Sequence, residues 1–158
     1  MPMVLYRVDD RLVHGQVVIG WGRPLNVKRI VLVDDTVAAS DWEQDLYRMA
    51  VAEGVEITFA DLATAVQQLP EWEADPRRTI LLTGDLATMA ALHQAHPGVV
   101  SRINLGGIHH RPGRAERLPY LYLDAEEQAL ISALGASGAV VTAQDLPTAV
   151  AVDATALQ

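Results

Sequence analysis

The chain has 158 residues, half of them hydrophobic, with a formal net charge of −8 and no cysteine. That length and composition fit one domain, residues 1–158, with a sizeable core; disulfides, thiol catalysis and cysteine-held metals are excluded. The negative balance argues against nucleic-acid binding, which relies on basic surface to meet phosphates.

No apolar run approaches the roughly 20 residues that span a bilayer. The N-terminus lacks the basic region, apolar stretch and cleavage site of a secretory signal, so a cytoplasmic location is expected. Met3 to Val8 reads as a first strand. After Asp9-Asp10-Arg11-Leu12-Val13-His14, a helix is expected from about Gly15 to Arg23, stopped by Pro24. Arg29 to Val33 is a short continuous apolar run, as in a strand buried on both faces. Ser40 and Glu43 form a capping-box pattern, and Trp42, Leu46, Met49 and Ala50 fall on one helical stripe. Val55 to Phe59 alternates like a strand. Asp61 is placed to cap a helix that Pro70 should end, with Glu71 to Arg78 irregular.

Thr79 to Thr83 is a fourth strand, Asp85 starts a helix stopped by Pro97-Gly98, and Val99 to Leu105 is a fifth strand. Gly106 to Arg117 reads as a long functional loop, and Leu118 to Leu123 as an edge strand. Asp124 with Glu127 opens the last helix, Gly138 to Thr142 is a final strand, and the tail from Pro147 has no assignment. Strands alternating with helices predict an α/β fold: a single open, mainly parallel sheet, helices on both faces and an antiparallel edge.

In such sheets ligands bind beyond the carboxyl ends of the strands. The first of those ends carries the richest chemistry. A helix start offers unpaired N–H groups and partial positive charge. Arg11 adds a planar donor fork, and His14 can be a metal ligand, a general base or a nucleophile. His93, His96, His109 and His110 lie far off in sequence without metal spacing, and His93 and His96 read as ordinary surface residues. The nucleophile role fits best, because a phosphoryl group on His14 would meet the N–H groups of Gly15 and Gln16 and the fork of Arg11. Asp9 or Asp10 would orient the imidazole or position Arg11, and Asn104 would bring an amide to the same rim.

Residues 1–29 and 101–117 hold nine of the twelve basic residues and three of the twenty acidic ones. If they meet, an acidic protein gains one basic face suited to an anion or an acidic partner, with Arg111 to Arg117 as its docking rim. Gly20-Trp21-Gly22 is no dinucleotide fingerprint, since no strand precedes it and Leu25 takes the third glycine's place. Trp21 reads as packing at the helix end.

The run Asp9-Asp10-Arg11-Leu12-Val13-His14-Gly15-Gln16-Val17 resembles the active-site segment of the enzyme IIB component of the mannose/fructose/sorbose family of the bacterial sugar phosphotransferase system. Trp21, Arg29-Ile30-Val31-Leu32-Val33-Asp34-Asp35 and Ile103-Asn104-Leu105-Gly106-Gly107 extend the resemblance over nearly the whole chain. It implies that His14 receives a phosphoryl group on Nδ1 from a phosphohistidine of enzyme IIA. His14 would pass it to a sugar bound by the membrane components IIC and IID. Catalytic roles then fall to His14, Arg11 and Asp10, and phosphoryl binding to Gly15, Gln16 and Asn104, with no metal or other cofactor. A homo-oligomer is compatible with this reading.

Ala52-Glu53-Gly54 stands where many members have Pro-Pro-Gly, and Thr83-Gly84-Asp85 where a lysine is common. Both lie outside the His14 loop and bear on sugar and partner rather than on phosphoryl transfer. A regulatory or ligand-binding module of the same fold is the alternative, and a general-base enzyme acting on a phosphorylated metabolite is a third reading.

Overall fold

Strand β1 (Met3–Asp9) lies at the centre of a seven-stranded sheet in a computed structural model that describes residues 3–157. With β2 (Arg29–Val33), β3 (Glu56–Ala60), β4 (Thr79–Thr83), β5 (Arg102–Gly107) and β8 (Val140–Ala143) it forms a parallel array in the order β3-β2-β4-β1-β5-β8. The antiparallel edge is β9 (Val152–Asp153), paired with β8 and supplied by the tail that the sequence left unassigned. β6 (Ala115–Leu118) and β7 (Leu121–Leu123) make a separate hairpin. Its turn at Pro119-Tyr120 splits the expected single edge strand, because proline has no N–H to give a ladder.

The apolar runs behave as their pattern predicts. All five residues of β2 and of β4 are buried, and neighbours along β2 alternate between two cores. Val31 and Val33 pack with Leu69, Trp72, Leu81, Met89, Leu92 and Ile131 under α3 (Leu62–Ala74), α4 (Leu86–Ala95) and α5 (Ala125–Ala136). Ile30 and Leu32 pack on the other face with Val17, Val18, Trp21 and Leu82. Burying side chains of this size stabilises by about 1.5–3 kcal/mol each.

Helices after β2, β3, β4 and β7 begin in one way. Asp34, Asp61, Asp85 and Asp124 each accept a hydrogen bond from a backbone N–H three residues on, of Val37, Thr64, Thr88 and Glu127. These aspartates at the strand ends are therefore helix caps.

Four expectations need correction. The helix after β1 is a six-residue π-helix, Gln16–Trp21, with its wide turn closed by the Gly22 N–H donating to Val17 O at 2.9 Å. A β-carbon at Gly22 would lie 2.2 Å from Val18 O, so glycine is required there. Next, α3 runs through Pro70 to Ala74; buried Leu69 and Trp72 anchor the turns on either side of the lost hydrogen bond. β5 starts at Arg102 and extends through Gly107, so part of the expected loop is strand. Finally, Trp42, Leu46 and Met49 on α2 (Asp41–Ala50) are 67%, 54% and 82% exposed. That helix, which follows the short α1 (Asp35–Ala38), docks through Tyr47 and through Gln44, whose amide donates to Val37 O and Ala38 O.

The loop leaving β5 is tied down at both ends. Ile108 exchanges backbone hydrogen bonds with Tyr120 and Tyr122 (3.0 and 2.7 Å). Arg114 places Nε and Nη2 2.9 Å from the two oxygens of Glu127, which also accepts the Asp124 N–H in a capping box. Glu127→Ala should therefore cost about 2 kcal/mol, since it strands a half-buried guanidinium and opens a helix cap together. Urea unfolding measures this directly.

Candidate functional site

β1 ends differently from the capped strands. Its last residue, Asp9, is fully buried and caps no helix. Oδ2 lies 3.1 Å from Arg7 Nη2, 3.1 Å from Arg11 Nη2 and 3.0 Å from His14 Nε2. Oδ1 accepts from both the backbone N–H and Nε of Arg11 at 3.1 Å. Burial pushes the Asp9 carboxyl up, but hydrogen bonds from His14 and Arg11 and the charge of Arg7 outweigh it. The group is held well below the usual carboxylate range, and the carboxylate acts as an acceptor for every neighbour.

Arg7 supports Asp9 from within the sheet. Side chains two apart on a strand share a face, and this guanidinium has no solvent exposure. Nη1 donates to Asn104 Oδ1 (2.6 Å) and Gln144 O (3.0 Å), and Nη2 to Asp9 and Asp145 O (3.0 Å). The Trp21 ring stacks 5.2 Å from Arg7 Cζ, and its Nε1–H donates to Asp145 O at 2.8 Å. A β-carbon at Gly106 would lie 1.9 Å from Arg7 Cζ. Gly106 therefore leaves the space that the guanidinium fills.

The tautomer of His14 follows from Asp9. An ionised carboxylate can only accept, so Nε2 carries the N–H and Nδ1 keeps its lone pair. Nδ1 faces the Gln16 N–H at 3.3 Å, and the side chain is 20% exposed. Leu12 adopts φ +59°, a left-handed conformation costing about 1–2 kcal/mol outside glycine. The Leu12 N–H bonds back to Asp9 O at 3.0 Å, and its side chain fills the space over Gly84. Held by Asp9 through Nε2 and partly exposed, the ring presents Nδ1 beside the Gln16 N–H.

The structure brings His14, Arg11, Gly15 and Gln16 together; Arg11 Nη2 also donates to Gln16 Oε1 at 2.6 Å. Gly15 is exposed with open space around it, while the Val17 and Val18 N–H groups are taken by His14 O. Asp10 neither orients His14 nor holds Arg11; it accepts from the His109 N–H and Nδ1. Asn104 is buried and binds Arg7 rather than lining the histidine, because it faces inward along with Arg7 on the neighbouring strand. His93 is buried, with Nδ1 on Val100 O and Nε2 on Ser137 Oγ, and is no surface residue.

The expected basic face is not formed as a whole. Arg7 is internal, and Arg29 and Arg102 start strands at the opposite end of the sheet. Arg114 is bound to Glu127. Sequence reasoning missed Arg7 and His109; an arginine two before an aspartate in an apolar strand was the available signal for the first.

Residues 3–157 match the model of the PTS system sorbose subfamily IIB component. The chain belongs to that family. It is 32% identical over 155 residues to the N-acetylgalactosamine-specific phosphotransferase enzyme IIB component 2 of Escherichia coli strain K12, covering 97% of each chain. It is 31% identical over 130 residues to the sorbose-specific EIIB component of Klebsiella pneumoniae, covering 80% of this chain and 77% of the relative. The crystal structure of the N-acetylgalactosamine-specific IIB component 1 from Escherichia coli superposes with a TM-score of 0.86 at 27% identity, over 95% of this chain and 97% of that one. The α/β fold and a place in a sugar phosphotransferase system follow from this membership. Among the described residues no helix is long and apolar enough to cross a membrane.

The depressed pKa of Asp9 sets a pH dependence. Its stabilisation is whole above the ordinary aspartate pKa of about 3.9 and is lost as pH falls through that range toward the folded value. Asp9→Asn should be much less stable than the parent at neutral pH, and the two stabilities should converge on acidification. Urea unfolding of both proteins across a pH series tests this.

Proposed function

We propose that this protein is a cytoplasmic, single-domain phosphohistidine relay, a protein-Nπ-phosphohistidine–sugar phosphotransferase acting as an enzyme IIB component. His14 Nδ1 attacks the phosphorus of a IIA phosphohistidine. The new Nδ1–P bond forms as the donor N–P bond breaks, and the electron pair returns to the donor imidazole. The Nε2 proton stays on the Asp9 hydrogen bond throughout. Arg11 and the Gln16 and Gly15 N–H groups receive the phosphoryl oxygens, and the group then passes to a sugar held by the membrane components IIC and IID. The relatives' names include N-acetylgalactosamine and sorbose, so a six-carbon sugar or amino sugar is the substrate class.

The observation that supports this reading is the Asp9–Nε2 hydrogen bond, which leaves Nδ1 as the reactive nitrogen. Incubation with phosphorylated IIA should give an acid-labile, alkali-stable label that disappears in His14→Ala. A label that persists in that variant contradicts the assignment. Arg11→Ala should slow transfer by about 10²-fold, the usual cost of one preorganised donor on developing charge, with unfolding stability reduced much less.

A further inference from the structure

Asp9 and Asp10 each hold one imidazole. Asp9 takes His14 by Nε2; Asp10 takes His109 by Nδ1 at 2.5 Å and also accepts the His109 backbone N–H at 2.7 Å. Arg114, itself bound to Glu127, donates to His109 O at 2.9 Å. The residue is thus held at one ring nitrogen and at both backbone groups, while 43% of the side chain stays open. Its distal nitrogen, Nε2, has no hydrogen-bond partner among the described residues, and neither does Arg11 Nη1.

The His109 ring and the Arg11 fork approach each other across Gly107. A β-carbon at Gly107 would lie 2.9 Å from Asp9 Oδ1, 3.2 Å from His109 Cε1 and 3.3 Å from Arg11 Nη2. Glycine keeps that space clear between the His109 ring and the Arg11 fork. Charge gives an independent argument. Asp9 and Asp10 balance Arg7 and Arg11, and a phosphoryl group would add nearly two negative charges to that balance. His109 can answer by binding a proton on Nε2, which then becomes a donor.

We propose that His109 is a second phosphoryl ligand of this site, its protonated Nε2 donating to an oxygen of the group carried on His14. This rests on the reading of His14 as phosphoryl acceptor. A phosphoryl group on Nδ1 of His14 then meets Arg11 from one side and His109 from the other, with Gln16 N–H at its base. Asp10 contributes through His109 as a positioning residue.

The test uses the full chain with ¹⁵N-labelled histidine and phosphoramidate as donor. His14 Nδ1 displaces ammonia from phosphorus, and a ³¹P phosphohistidine signal reports the product. On phosphorylation the His109 Nε2 resonance should move from the range of an unprotonated to that of a protonated ring nitrogen, and His14→Ala should show no such change. A phosphohistidine signal at His14 with unchanged His109 nitrogens overturns the proposal. Absence of any phosphohistidine signal overturns the relay reading instead.

Two variants separate binding from loop positioning. His109→Ala should slow phosphorylation about tenfold, and His109→Gln, which keeps a donor at similar reach, should recover part of the rate. Equal loss in both makes His109 a loop-positioning residue only and contradicts the proposal.

Discussion

A single buried carboxylate, that of Asp9, accepts hydrogen bonds from two guanidiniums and an imidazole. Removing these charges from water costs several kcal/mol per ion, and only dense, well-aligned bonding offsets that. Arg7 supplies the balance from inside the sheet, fixed by Asn104, two carbonyls at the end of β8 and the face of Trp21. Everything chemical at the site hangs from this anchor. It sets the tautomer of His14, the posture of Arg11 and the turn through Leu12.

The fold explains why the anchor sits here. β1 lies between β4 and β5, and the connections leaving β1 and β5 run toward opposite edges of the sheet. A crevice at the carboxyl ends of two such strands is where open α/β sheets bind ligands. At β2, β3, β4 and β7 the following aspartate caps a helix. At β1 the aspartate turns inward to Arg7, and the helix that follows is a short π-helix. Irregular helical turns of this kind are frequent at functional sites. Freed from capping, the aspartate serves the histidine.

Much of this was legible in the sequence, where local pattern and burial agree. The apolar runs of β2 and β4, the aspartate caps and the clustering of Arg11, His14 and Gln16 all follow from neighbouring residues. What escaped depends on contacts distant in sequence. Choosing Asp9 over Asp10 requires knowing that Arg7 shares its face of β1 and that Asn104 lies alongside on β5. The role of His109 depends on a side-chain bond spanning 99 positions. The apolar stripe of α2 followed helical periodicity yet faces solvent, because periodicity marks a face without saying what covers it.

The account stands on one nitrogen. Asp9 holds Nε2 of His14, so in the proposed relay the phosphoryl group bonds at Nδ1. Long-range ¹H–¹⁵N correlation spectra of the phosphorylated, ¹⁵N-histidine-labelled protein distinguish the two ring positions. Phosphorus on Nδ1 of His14, with Nε2 still protonated, is the predicted result. Phosphorus on Nε2 would contradict the geometry at its root.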